Sequence, residues 1–234
     1  MSAHDKGRLY GIGVGPGDPE LLTLKGLRLL RAAAVVAYPA PEHGDSFARA
    51  IVAAWLDRGQ REIAVRFPMR PGPPPAQIYD VAACAIAAEL AAGRDVALLC
   101  QGDPLLYGSF IGIWTRLADR FAVEIVPGVS SLTAGAAAVG VPLTARDEVL
   151  LVIPATLAEA EIARRLAAAD VAAIVKLGRH LPKVKRVLAG LCLLDGACYV
   201  ERASLPNQRV RPLAGIDEAA YFSMALVRQT NTKR

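Results

Sequence analysis

Two copies of Gly-Asp-Pro, at 17–19 in GPGDPELL and at 102–104 in QGDPLLYGSF, each follow an apolar run. Glycine carries no β-carbon, so main chain at such turns can approach a bound group closely or take positive φ. Pro16, between Gly15 and Gly17, stiffens the first turn. Part of the motif has a purely structural account: Asp18 suits an N-cap, with Pro19 at the first helical position and Glu20 beside the positive helix end. A third strand-like run ends in VPGVSS, where Ser130 and Ser131 are small and Ser130 equally suits a cap for the helix that follows. Ligands of open α/β sheets bind outside the carboxyl ends of the strands, so these turns could face one crevice.

The common phosphate-binding fingerprints do not fit. A G-x-G-x-x-G reading from Gly11 meets Pro16 at its third glycine, and one from Gly13 meets Asp18. The next strand ends in Tyr38-Pro39, without the acidic residue that an NAD fold places against the ribose. Lys25 is followed by Gly26, and no G-K-[ST] of a P-loop occurs. The three histidines, His4, His43 and His180, form no H-E-x-x-H, and there is no G-x-S-x-G. Zinc hydrolysis and triad chemistry therefore lack parts, and no metal site is expected. Cys84, Cys100, Cys192 and Cys198 form no C-x-x-C pair and are expected as buried thiols.

Lys and Arg total 27 against 22 Asp and Glu, a net charge of +5 with no basic tract. That surplus favours a small anionic ligand over nucleic acid. The amino terminus, MSAHDKGRLY, lacks the apolar core of a signal peptide, and a cytoplasmic protein is expected. Apolar runs such as RAAAVVAYPA fall short of the roughly 20 residues of a membrane span, so no membrane association is expected.

The elements that must position these turns alternate. Strand-like runs RLYGIGV, AAVVAYP, REIAVRFP, DVALLCQG and VEIVPG are separated by helical patterns at 21–34, 45–58, 76–92 and 105–119, as in an α/β sheet. A helical pattern ends at Gly140, and Pro142 prevents its continuation. This predicts two domains, 1–140 with the glycine-rich loops and 141–234 with strands in EVLLVIPA, VAAIVKLG, GACYVERA and YFSMALVR and helices at 157–169 and 180–190. RFPMRPGPPPAQ reads as a stiff, extended loop.

GIGVGPGDPELLTLKGLRLL, CQGDPLLYGSF, VEIVPGVSS, GVPLTAR, VKLGRHLPKV and YVERASLPNQRV occur in an order that resembles the tetrapyrrole methyltransferases dependent on S-adenosylmethionine, over almost the whole chain. FPM at 67–69, GDPLLYGSF, KLGRHLPKV and YFSMALV most resemble the family members that act on C(20) of precorrin-2. The resemblance implies two α/β domains with the cofactor in the cleft between them, and a homodimer. It implies that Pro16 lines that cleft, that Gln101, Gly102 and Asp103 cradle S-adenosylmethionine or its product S-adenosylhomocysteine, and that Leu106 adds apolar contact. It also assigns Ser130, Ser131, Leu177 and Ala203 to the cofactor. The implied reaction gives precorrin-3A in cobalamin synthesis. Cobalt-factor II as acceptor and a non-catalytic tetrapyrrole-binding module are the alternatives.

Two positions depart from the family pattern. Uroporphyrinogen methyltransferases carry an aspartate where this chain has Pro39, which argues for a later substrate, and Gln101 stands where relatives have Gly or Glu. Methyl transfer from a sulfonium needs alignment rather than a metal or an enzyme nucleophile, and no residue is assigned as catalytic. An acceptor bearing eight acetate and propionate carboxylates calls for guanidinium forks, and Arg66, Arg70, Arg146 and Arg179 are the candidates.

Overall fold

The computed structural model describes residues 6–68, 72 and 74–229. The chain forms two compact units, Met1–Ser130 and Ser131–Arg234.

The first unit runs β1 (Leu9–Gly13), α1 (Leu24–Ala32), β2 (Val35–Pro41), α2 (Phe47–Ile51), β3 (Arg61–Phe67), α3 (Ala76–Ala91), β4 (Val96–Cys100), α4 (Phe110–Leu117) and β5 (Val123–Val126). Its sheet is parallel throughout, in the order β3-β2-β4-β1-β5. A parallel sheet covered on both faces demands strands apolar on both sides, which is why β4 reads VALLC without alternation and is buried along its whole length. Val96, Leu98 and Cys100 face a core shared with α3 and α4, while Ala97 and Leu99 face the one shared with α1 and α2. In the first of these cores the fully buried Phe110 lies over Gly11, where a β-carbon would stand 2.4 Å from the ring. Truncating such a ring to alanine costs about 3–5 kcal/mol.

Two prolines shape the sheet. Alternate residues of β2 address opposite neighbours, and Val35 donates to Asp95 at the start of β4. Pro39 and Pro41 fall in the same phase and have no N–H to give. Pairing with β4 accordingly stops at Ala37↔Leu98, while pairing with β3 continues to Pro41↔Phe67.

The helix expected from 21 begins later. Asp18 caps a 3-10 turn, Pro19–Leu21, accepting from the Glu20 N–H at 2.8 Å, and Thr23 then caps α1 by accepting from Gly26 at 3.1 Å.

The second unit comprises α5 (Ser131–Val139), β6 (Leu150–Pro154), α6 (Glu159–Leu166), β7 (Val171–Val175), α7 (Leu181–Gly190), β8 (Cys198–Glu201), β9 (Arg209–Pro212) and β10 (Ser223–Arg228). Its sheet is mixed, in the order β6-β7-β10-β8-β9, with only β6 and β7 parallel neighbours. One face packs on α6 and α7, and the other on α5. Gly135 lets α5 settle onto the sheet, since a β-carbon there would stand 3.0 Å from Met224 Sδ. That packing draws α5 into the second unit, so the division falls at Ser130/Ser131, ten residues before the expected 140/141. The sequence signal at Gly140 marks the end of α5: φ is +75°, and Gly140 and Val141 both donate to Ala136.

All four cysteines are free, but only Cys100 is fully buried. Cys84 and Cys192 are exposed, correcting the expectation of buried thiols: Cys84 sits on the solvent side of α3, and Cys192 lies in the turn after α7. Burial pushes the Cys100 thiol far above its ordinary value, which makes it inert at neutral pH. Among the described residues no helix is long and apolar enough to cross a membrane.

Candidate functional site

In the first unit the carboxyl ends of β4, β1 and β5 lie side by side, and their loops are joined by main chain. Val14 donates to Cys100 at 2.8 Å, Gly102 to Gly15 at 2.7 Å, and Gly15 back to Gly102 at 3.4 Å. These bonds make a bridge between the two Gly-Asp-Pro turns, which stand 85 residues apart in sequence, at 17 and 102.

The third loop enters through Asp103. Its Oδ1 accepts from the Leu105 N–H at 2.9 Å, an Asx turn, and its Oδ2 accepts from the Gly128 N–H at 3.1 Å. The two aspartates of the repeated motif therefore differ: Asp18 caps its own turn, whereas Asp103 also holds the loop after β5. Backbone contact here is close. A β-carbon on Gly128 would lie 2.1 Å from the Gly102 carbonyl oxygen, and one on Gly13 would lie 2.5 Å from the Gly128 nitrogen.

Gly102 differs from these two. It takes φ +68°, and a β-carbon there would find nothing nearer than the Val129 oxygen at 4.0 Å. Gly102 is nevertheless buried, and its N–H and carbonyl are both spent on Gly15. Beyond it, Leu105, Leu106 and Tyr107 are 50%, 37% and 49% exposed. Pro16 is buried under the same turns, and Gln101 is half-buried beside them.

The structure thus brings Pro16, Gln101, Gly102, Asp103 and Leu106 to one strand-end cluster. Ser130 ends the first unit and Ser131 opens α5 of the second.

In the second unit, β7 and β8 both run antiparallel to β10, so their carboxyl ends share one edge of the sheet. Leu177 and Ala203 each stand two residues past those ends. Their side chains pack into the second unit's cores, which leaves only their main chain to the surface loops.

The residues around them are conformationally unusual. Six non-glycine residues among those described have positive φ. Lys176 at +60°, Arg202 at +50° and Ser204 at +69° flank Leu177 and Ala203, and Tyr107 at +56° follows the second Gly-Asp-Pro turn. Each such residue costs about 1–2 kcal/mol, and strain of this kind gathers at ligand-binding loops. Residue type does not announce a left-handed Lys or Arg, so these positions escaped the sequence reading.

The candidate arginines disperse. Arg66, at the carboxyl end of β3, spends one guanidinium nitrogen on the carbonyls of Pro41 at 3.0 Å and of Glu42 and Gly44 at 3.4 Å. That is a structural duty, binding the loop after β2. Arg70 lies outside the described residues. Arg146 precedes β6 at the end of the second sheet opposite to Leu177 and Ala203. Arg179 is exposed in the turn that follows β7. Burial, together with the charges of Lys183 and Arg179, holds the His180 imidazole below its ordinary value, a sign of positive potential along that loop.

Strand-end loops built from bare main chain, on an α/β unit joined to a second mixed-sheet unit, define a class of protein. Residues 8–217 match the family model of the Tetrapyrrole (Corrin/Porphyrin) Methylases, and the chain belongs to that family.

Within it, the chain is 45% identical to the precorrin-2 C(20)-methyltransferase of a Sinorhizobium species, covering 97% of both chains. It is 34% identical to the cobalt-precorrin-2 C(20)-methyltransferase of Salmonella typhimurium, over 94% of this chain and 96% of that one. It is 48% identical to the cobalamin biosynthesis protein CobIJ of Mycobacterium tuberculosis over 97% of its own length, but spans only 46% of that protein. Among solved structures, a cobalt precorrin-4 methyltransferase matches with a TM-score of 0.74 at 25% identity, over 94% of each chain. The uroporphyrin-III C-methyltransferase of Thermus thermophilus, complexed with S-adenosylhomocysteine, matches with a TM-score of 0.70 at 26% identity, over 95% of this chain and 92% of that one.

Proposed function

We propose that the protein transfers a methyl group from S-adenosylmethionine to C(20) of precorrin-2, giving precorrin-3A, and that it acts in the cytoplasm as a homodimer. The observation that carries this reading is the stitched main-chain cluster at the ends of β4, β1 and β5, with Gly102 held in it in a left-handed conformation where a β-carbon would meet no close neighbour. Its donors and acceptors are fixed before any ligand arrives, and the exposed Leu105–Tyr107 run supplies an apolar neighbour.

When bound, S-adenosylmethionine supplies an electrophilic methyl on a sulfonium. The chain's part is to hold and orient. Gln101, Gly102 and Asp103 would contact the cofactor through the loop after β4, with Pro16 and Leu106 packing beside it. Ser130, Ser131, Leu177 and Ala203 keep the cofactor-contacting roles their motif positions suggest, the last two by main chain. Alignment of this kind lowers a barrier by up to about 7–11 kcal/mol, more than one general acid or base supplies. It suits a cluster whose ordered groups are amides and glycines.

The acceptor assignment follows the 45% identity to the Sinorhizobium enzyme over nearly full length, against 34% to the Salmonella one. Pro39 fits the same choice, because its nitrogen and ring leave no carboxylate at that position of β2. Incubation with labelled S-adenosylmethionine and either precorrin-2 or cobalt-factor II tests the reading. One label per macrocycle at C(20), with precorrin-2 preferred, is the expected result. Preference for cobalt-factor II would replace the acceptor, and tetrapyrrole binding without transfer of label would refute the enzyme.

A further inference from the structure

We infer that Lys176 and Arg202, with Tyr221 between their strands, form a docking edge for the carboxylate-bearing rim of a tetrapyrrole in the second unit. This deepens the proposed function and rests on it.

The placement comes from the register. Met224 of β10 pairs with Val175, and Ser223 pairs with Glu201. Lys176 and Arg202 are the next residues along β7 and β8, so they stand on either side of the amino end of β10, one strand apart. Arg202 is tied there by its N–H, which donates to the Phe222 carbonyl at 2.9 Å. Tyr221 enters the same edge at 72% exposure. A large ring left this open beside two cations suits a flat, apolar macrocycle with acidic substituents.

Both cations stand at strained backbone positions. Each has positive φ, whereas the residue after each is packed into a core. The chain bears that strain to send a charged side chain out while the next one goes in. Arg202 has a further restraint. The buried Glu201 carboxylate receives Arg202 Nη1 at 3.1 Å and Arg209 Nη1 at 3.7 Å, and it is also bonded by the Tyr199 hydroxyl at 3.1 Å. One anion thus orients two guanidiniums and leaves a net positive charge at the edge. Arg179, exposed in the loop that Lys176 opens, adds to it.

The test replaces Lys176 and Arg202 singly by glycine, which keeps the left-handed backbone and removes only the side chain. The first probe is uroporphyrin III, a stable macrocycle with eight acetate and propionate groups, followed by fluorescence quenching of the full-length protein. Each of Lys176→Gly and Arg202→Gly should weaken its binding about tenfold, the loss of one charge-assisted contact. Each should also flatten the salt dependence while leaving calorimetric affinity for S-adenosylhomocysteine in place, and thermal melts confirm that each variant is folded at the temperature of the binding assay. Lys176→Arg should restore binding. Unchanged uroporphyrin affinity in both glycine variants overturns the inference, as does a wild type that does not bind the porphyrin. A wild type that binds it through these residues but transfers no methyl to precorrin-2 refutes the proposed function alone.

Discussion

Gly102 and Gly128 lie in one cluster, but substitution should act on them in different ways. At Gly102 a side chain meets a strained φ of +68°, while its β-carbon would make only an ordinary contact with the Val129 oxygen at 4.0 Å. Gly102→Val should therefore fold, melt slightly lower, and lose at least about tenfold in affinity for S-adenosylhomocysteine by calorimetry, because the side chain occupies the contact surface. Undiminished affinity would remove Gly102 from the site. At Gly128 the added carbon strikes the Gly102 carbonyl at 2.1 Å, so Gly128→Ala should cost stability as well as binding. Asp103 works through both its oxygens. Asp103→Ala strips acceptors from the N–H groups of Leu105 and Gly128, and a loss of about 1–3 kcal/mol in denaturant unfolding is expected, against a smaller one for Asp103→Asn. The sequence signalled the glycines and the first cap, since residue type alone speaks for both. It was silent on the second role of Asp103, which depends on a partner twenty-five residues away.

At the scale of elements, α2 is held to the sheet by a compact ionic contact. Arg49 on α2 makes two bonds to Glu62 on β3, at 2.6 and 2.8 Å, and the Tyr38 hydroxyl on β2 donates to the same carboxylate at 2.6 Å. The Arg49 bonds lower the Glu62 pKa from 4.5 to about 2, against an opposing effect of burial. Because the folded value lies below the unfolded one, the stabilisation is complete above about 4.5 and is lost as the pH falls through about 2. A partly exposed pair of this kind contributes on the order of 1 kcal/mol. Denaturant curves should show wild type ahead of Glu62→Gln at neutral pH, with the gap closing below about pH 4. A gap independent of pH would mean that the lost contact is not ionic. Elements of this unit were readable because β4 and its neighbours are apolar runs bounded by turn residues. β9 was not: RVRP is exposed at every position, an edge strand without an apolar face, and only its pairing with β8 defines it. The start of α1 was misplaced because Pro19 and Glu20 fit a helix and a 3-10 turn equally well.

For the whole molecule, sedimentation equilibrium should return twice the chain mass of 24.7 kDa if the homodimer is correct, and a single-chain mass would refute it. The division into two units was legible in outline. Its position was not, because α5 looks like a continuation of the alternating pattern, and only its packing against β8 and β10 assigns it to the second sheet. That sheet differs from the first in one more respect. The first unit has all five of its strands by Val126. In the second, the central place between β7 and β8 belongs to β10, the last strand among the described residues. During translation the first unit can close while the ribosome is still at work, but β7 and β8 must wait with their facing edges unpaired until Ser223–Arg228 emerges. A message cut short before Ser223 would release a chain whose amino-terminal half is sound and whose other half offers two bare strands to any passing partner.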